Sequence, residues 1–352
     1  MFTKRRSLLL CGVLAVALVL GACTADDEPD VAVADEDEEA APADAPTQDQ
    51  WCSDVRIAAF AGGGQGTPFT NNVHNGYLAA EADLGPDVTY YFSDWSEERM
   101  VAQFREAMAL EPDGMAVMGH PGDAAMGPLI DEAFDSGTQV TVVNVELPEA
   151  EARWAPEGLG YVGAPNYAAG ERLAQEAVER SGAQEGDQAF VWGLLAQEGR
   201  GERTQGIVDG FEAAGIEVVY EEIDSATNAD APAGTPTFTG VMAANPDVSL
   251  VVTDHGALTA TAETYMTAAG LEPEEVYFSG FDLGPASVEA IKSGYLDLVI
   301  DQQPFLQGYL PILQICLTQV YGFSGLFIDT AGSFIDADNV EAVEPLAREE
   351  IR

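Results

Sequence analysis

Lysine is almost absent from this chain. Only Lys4 and Lys292 occur in 352 residues, and lysine plus arginine number 14 against 60 aspartates and glutamates. A formal charge of −46 argues against nucleic acid and anionic surfaces as partners, because their phosphates select clustered basic side chains. Histidine is scarce too: His74, His120 and His255 are too few to suggest a metal centre. Apolar runs are short. The longest, Leu8 to Leu20, falls well below the roughly 20 residues of a spanning helix.

Catalytic and nucleotide signatures are missing as well. A dinucleotide fingerprint opening at Gly62 needs glycine at position 67, which is Thr67, and no G-x-x-x-x-G-K-[ST] occurs. The stretch YGFSG, Tyr321 to Gly325, lacks the spacer of a nucleophile elbow. DADNVE, Asp336 to Glu341, lacks the calcium-loop glycine. The sequence thus reads as a non-enzyme with neither cofactor nor metal.

What is present begins with a basic start (Lys4, Arg5, Arg6) before the apolar run, the layout of a secretory leader over residues 1–22. The run closes on Leu20-Gly21-Ala22-Cys23, which resembles a bacterial lipobox. That resemblance implies that Cys23 is lipidated and becomes the first mature residue. The protein is then expected outside the cytoplasmic membrane, in the cell envelope, held to the membrane by its lipid alone. Residues 23–52 read as an acidic tether: Thr24 to Gln50 holds eleven Asp or Glu and no Lys or Arg. Such a composition buries too little apolar surface to fold, and its like charges keep it extended.

Beyond the tether, apolar runs alternate with helical patterns. Strands are expected at Ile57–Phe60, Val88–Phe92, Gly114–Met118, Val140–Val145, Ala189–Trp192, Val218–Glu221, Ser249–Thr253, Val276–Gly280 and Leu296–Ile300. Helical runs between them include Asn71–Leu84, Glu97–Leu110, Gly170–Arg180, Gln205–Ala214 and Leu258–Ala269. Gly85, Gly137, Gly182, Gly215, Gly270 and Gly294 follow helical runs where left-handed caps belong. Strict alternation implies parallel sheets covered on both faces, with ligands beyond the carboxyl ends of the strands. Polar and aromatic residues recur at those ends in both halves: AGGGQGTPF, Ser93-Asp94-Trp95, Gly119-His120-Pro121 and Asn144-Val145-Glu146, then Thr253-Asp254-His255, Gly280-Phe281-Asp282 and Asp301-Gln302-Gln303. Matching polar ends suggest an α/β protein of two doubly wound parallel-sheet lobes facing one cleft.

In this order of motifs the chain resembles the type 1 periplasmic binding proteins, particularly sugar-binding components of ABC importers of the ribose-binding kind. Thr67-Pro68-Phe69 stands where the family has Asn-Pro-Phe-Phe. Asn144 matches the usual fourth-strand Asp, and Val145 replaces the Arg that often follows. RGERTQGIVDGF offers Arg203 as ligand arginine, Thr253-Asp254 replaces an Asn-Asp pair, and Asp282 and Gln302 match. The resemblance implies three crossings between the lobes. The first lobe is expected over 53–146 plus 303–328, and the second over 147–302 plus 329–346. The expected ligand set is Thr67, Phe69, Asp94, Trp95, His120, Asn144, Glu146, Arg203, Asp254, His255, Asp282 and Gln302, with Trp154 and Trp192 as secondary aromatics. Asp301 and Gln303 stay open between ligand contact and hinge support.

Aromatic faces cover a sugar's C–H surface while Asp, Asn, Gln and Arg pair with its hydroxyls. The implied protein is a monomeric receptor that closes on a sugar or polyol and delivers it to ABC permease subunits. A nucleoside or furanose signal molecule as ligand, and a sensory role without transport, remain alternatives. Cys23 is assigned to the lipid, which leaves Cys52 and Cys316 as the pair available for a disulfide in an exported protein. Cys52 precedes the first strand, and Cys316 lies about 18 Å along a helix that starts at the cleft. Both are therefore expected at the far end of the first lobe.

Overall fold

The computed structural model describes residues 50–352. The leader, Cys23 and the acidic segment through residue 49 lie outside the described residues.

The first part of the chain alternates β1 (Arg56–Phe60), α1 (Pro68–Leu84), β2 (Asp87–Tyr91), α2 (Glu97–Met108), β3 (Gly114–Met118), α3 (Gly122–Ser136), β4 (Gln139–Val143), α4 (Pro148–Trp154) and β5 (Gly160–Gly163). The second part runs through α5 (Asn166–Ser181), β6 (Gln188–Gly193), α6 (Glu202–Ala213) and β7 (Glu217–Glu222). It continues with α7 (Ser225–Ala229), α8 (Thr235–Ala244), β8 (Val248–Thr253), α9 (Gly256–Thr259), α10 (Ala262–Ala269), β9 (Tyr277–Phe281), α11 (Pro285–Ser293) and β10 (Leu298–Asp301). Then α12 (Pro304–Tyr321) and β11 (Phe327–Asp329) return to the first sheet, and β12 (Ser333–Ile335) and α13 (Val340–Arg348) rejoin the second lobe.

The two sheets share one plan. Their orders are β11-β5-β4-β3-β1-β2 and β12-β10-β9-β8-β6-β7. All pairings are parallel except the antiparallel β10–β12 edge. β3 is buried at all five positions, the continuous apolar reading that a strand covered on both faces requires. Alternate residues of β1 feed two cores, Ile57 and Ala59 on one face, Ala58 and Phe60 on the other. Strand order reverses between β1 and β3, and again between β6 and β8. Ligands settle at such switch points.

Helix pairs on each lobe cross at glycines. An added Cβ at Gly76 of α1 would stand 2.1 Å from the Phe305 carbonyl oxygen, and one at Gly308 of α12 would stand 2.0 Å from that of Val73. In the second lobe Gly170 of α5 and Gly206 of α6 allow the same approach, each 2.1 Å from an opposing carbonyl oxygen. This contact lays the start of α6 on the start of α5, so Arg203 and Asn166 become neighbours.

The nine expected strands form within two residues of their expected bounds, and all six cap glycines take positive φ. The first crossing differs from expectation. β5 pairs with β4 and β11, so residues 147–163 belong to the first lobe, and the chain crosses at Ala164-Pro165. The third crossing runs through Thr330–Gly332, between β11 and β12, rather than at 328/329. The helix expected over Leu258–Ala269 is two helices, α9 and α10, broken at Ala260 and Thr261. The expected tether boundary at residue 52 falls too late, because Gln50–Cys52 are part of the folded body: the Cys52 amide donates to the Leu84 carbonyl, and Cys52 is fully buried. Cys52 and Cys316 form a disulfide, with Cα atoms 5.7 Å apart. No helix among the described residues is long and apolar enough to cross a membrane, and no group of three or more His, Cys, Asp or Glu among them is placed to hold a metal ion.

Candidate functional site

The carboxyl ends of both sheets meet around one buried polar network. Gln302, in the second crossing, is its hub. Its Oε1 accepts from Asn144 Nδ2 (3.1 Å), Arg203 Nη2 (3.3 Å) and Gln307 Nε2 (3.2 Å), and its Nε2 donates to Asp282 Oδ1 (2.6 Å). Asn144 also donates to Gln307 Oε1 at 2.9 Å. One side chain thus ties the end of β4, the end of β9, the start of α6 and the hinge together.

Arginines sit deep in the second lobe's half. Arg203 Nε donates to Asn166 Oδ1 (2.9 Å) and its Nη1 to the Asp254 carbonyl (3.2 Å). Arg200 donates to Asp254 Oδ2 (3.1 Å) and to the same carbonyl (2.7 Å). Asp254 Oδ2 accepts further from Thr204 Oγ1 (2.6 Å) and the Leu194 amide (3.2 Å). Burial pushes the Asp254 carboxyl up, but Arg200, Thr204 and Arg203 outweigh it and hold the group below its ordinary range. Asp282 goes the other way: burial raises it, against Arg203 and Gln302. Burial and the neighbouring Arg200 lower Arg203 to about 9, which leaves it charged at neutral pH.

His120, at the end of β3, faces this network from the first lobe. Burial, then Arg200, Arg203 and His255, depress it to about 3, and burial with Arg200 takes His255 to about 4. Both are neutral imidazoles at ordinary pH. Trp95 stands 5.0 Å from His120 and 5.6 Å from Phe69, ring centroid to centroid, so the first lobe lines its half with aromatic faces. Glu146 accepts from the Asn166 amide at 3.3 Å and is raised by burial.

Three polar atoms of this region are buried with no hydrogen-bond partner in the protein: His120 Nδ1, Asn166 Nδ2 and Asp254 Oδ1. Native interiors rarely leave such groups unpaired, since each costs about 1–3 kcal/mol. Backbone strain collects here too. Asp94, Trp95, Asn144, Asp282 and Gln303, all at strand ends facing the cleft, adopt positive φ although none is glycine.

The structure brings Phe69, Trp95, His120, Asn144, Glu146, Arg203, Asp254, His255, Asp282 and Gln302 to this region. It leaves two expected ligands outside the network. Thr67 is exposed, and its hydroxyl donates to the Gly64 carbonyl and accepts from Thr70 Oγ1, and Asp94 is exposed and paired with Arg99. Asp301 and Gln303 serve the hinge: Asp301 Oδ2 pairs with Arg352 (2.8 Å), and Gln303 Nε2 donates to the Thr330 carbonyl (2.7 Å). Trp192 is core, and Trp154 stacks on Phe134 away from the cleft. Sequence reading passed over Arg200, Asn166 and Gln307. A chain with 14 basic residues that places two within four positions held a signal for Arg200. The lobes also meet across the mouth, where Gln197 Nε2 donates to Glu97 Oε1 at 2.8 Å.

Two parallel-sheet lobes on a three-stranded hinge, with polar strand ends facing each other, define a type 1 solute-binding fold. The chain belongs to the periplasmic binding protein domain family, whose sequence profile matches residues 58–316. A xylose/arabinose-binding protein of Sulfolobus acidocaldarius is 29% identical over 264 residues, 69% of this chain and 61% of that protein; the chain thus spans less than two thirds of that relative's length. A carbohydrate transporter of Acidothermus cellulolyticus 11B, solved with myo-inositol, has a TM-score of 0.71 at 23% identity over 85% of this chain and 99% of its own. A solute-binding protein of Burkholderia graminis, solved with D-arabinose, has a TM-score of 0.71 at 20% identity over 82% and 97%.

Proposed function

We propose that this protein is a lipid-anchored, monomeric extracytoplasmic receptor that captures a sugar or polyol between its lobes for an ABC importer. The observation that carries the reading is the trio of unpartnered buried atoms, His120 Nδ1, Asn166 Nδ2 and Asp254 Oδ1, between aromatic and ionic neighbours. An amide donor, a carboxylate acceptor and a neutral imidazole match hydroxyl groups, each of which both donates and accepts. The buried ionic groups pair off, Arg200 with Asp254 and Arg203 beside Asp282, which suits an uncharged ligand. Trp95 and Phe69 offer faces for its C–H surface. The ligands of the related proteins, xylose or arabinose, D-arabinose and myo-inositol, point the same way.

No bond is made or broken in this mechanism. Ligand favours the closed state because groups from both lobes reach it only there, and the Gln302 hub senses that closure. A thermal-shift screen over pentoses, hexoses, inositols and nucleosides tests it. A ligand at 100 times its dissociation constant adds about 2.7 kcal/mol of stability. Stabilisation by nucleosides alone, or by none of these, would sink the sugar reading. Cys23→Ser tests the anchor separately: the variant is expected in the soluble fraction, and retention in the membrane fraction would refute lipidation.

A further inference from the structure

The longest run of the chain without a charged side chain lies late in the sequence. From Gln302 to Ile328 there is no Asp, Glu, Lys or Arg, in a protein where 21% of residues are charged. The first part of this stretch is buried in α12, which needs no other explanation. Its last part is not. Val320, Tyr321, Phe323, Leu326 and Phe327 are 41–58% exposed, and Trp51 joins them at 37%. Trp51 stacks on Tyr321 at 5.4 Å, and Tyr321 stands 6.2 Å from Phe323. Trp51, Tyr321 and Phe323 thus form one exposed aromatic strip, with Val320, Leu326 and Phe327 exposed nearby in sequence, and contiguous exposed apolar surface marks a contact site.

Its position says what it contacts. α12 leaves the cleft at Pro304 and extends about 27 Å, so Tyr321 lies at the outer pole of the first lobe. Trp51 precedes β1 and Phe327 opens β11, which puts both at the same amino-terminal edge of the sheet. The described chain starts at Gln50, adjacent to Trp51. Residues 24–49, read above as a tether, therefore join the body at this patch, and an uncharged flexible chain of their length reaches roughly 30 Å.

We propose that this face is a membrane-contact surface, seating the outer pole of the first lobe in the interfacial layer of a lipid bilayer. Trp, Tyr and Phe carry an apolar body, with a polar edge on the first two, and that is the chemistry of the headgroup boundary. The lack of carboxylates in this segment removes the groups that would resist desolvation there. A second copy of the chain is the competing occupant, and the test below separates it from lipid. The proposal extends the lipid-anchor reading, which by itself expects the acyl chain to be the sole membrane contact.

The test uses the chain from residue 24 onward, which carries no lipid, so its outcome does not depend on acylation of Cys23. Flotation with phosphatidylcholine vesicles is expected to carry the protein upward. Removing one buried aromatic ring is worth about tenfold in partition, so Tyr321→Ser with Phe323→Ser should lower binding at least that much. Sugar affinity and melting temperature should be unchanged. Brominated phosphatidylcholine should quench tryptophan emission of the parent chain and spare that of Trp51→Phe. No flotation of the parent chain, equal flotation of the double variant, or a concentration-dependent dimer abolished by the double variant would each overturn the proposal.

Discussion

The Arg203 guanidinium lies over the Phe281 ring, its central carbon 4.2 Å from the ring centroid. The stack fixes the plane of the fork, and three of its nitrogens then reach Asn166, the Asp254 carbonyl and Gln302. A lysine ammonium is one point charge and cannot span those acceptors while covering a ring. Arg203→Lys is therefore expected to weaken ligand binding by about ten- to a hundredfold, the equivalent of about 1.5–3 kcal/mol for a charged hydrogen bond. Calorimetry with the screened ligand measures it. Parent-like affinity would remove Arg203 from the organisation of the site.

Asp282 and Gln302 share a 2.6 Å hydrogen bond across the hinge. Asp282→Ala should lose about ten- to a hundredfold in affinity by the same arithmetic. Gln302→Ala leaves Asn144 and Arg203 without their common acceptor, so it should also lower the melting temperature. Unchanged affinity in both variants would take these residues out of the ligand's reach.

The two neutral histidines predict a pH dependence. His120 is held near 3 and His255 near 4, whereas a histidine in the unfolded chain titrates near 6.5. Below about pH 6.5 the unfolded chain takes up protons that the folded protein refuses, so stability falls as pH falls toward 4. Above that range the contribution is fully present. Asp297, raised by burial to about 6, and Glu151, raised by burial to about 7, tilt the curve in the opposite sense. The informative quantity is hence the difference between variants. His120→Asn should flatten the loss of melting temperature between pH 6.5 and 4, and a slope identical to the parent's would show that His120 is not kept neutral by folding.

The Cys52–Cys316 bond spans 264 residues of sequence at the pole away from the cleft. Chain-entropy arguments give roughly 3–5 kcal/mol for so long a loop. Replacing both cysteines by alanine should shift the urea midpoint accordingly and leave ligand affinity unchanged. A variant as stable as the parent would mean that native packing alone holds these segments.

The strand pattern was legible because β-branched and small apolar residues cluster in short runs bounded by turn glycines. β5 escaped, since Gly160-Tyr161-Val162-Gly163 is four residues long with a glycine at each end, and without it the first crossing is placed too early. β11 and β12, of three residues each, give no periodic signal either. The polar strand ends located the cleft region. Their internal partnership did not follow, because Arg200 and Asn166 reach the network through the α5–α6 crossing at Gly170 and Gly206, a tertiary contact that sequence spacing does not express. Thr67 was assigned through its place in a motif, but its hydroxyl is taken up in closing the local turn.

The second lobe from α5 through β10 lies between Cys52 and Cys316 in sequence, and only its late return through β12 and α13 falls outside. The disulfide therefore makes it a segment of one covalent ring. A protease that cuts once anywhere from residue 53 to 315 produces two polypeptides that stay linked until the bond is reduced. A nicked molecule of this design retains both halves of its cleft.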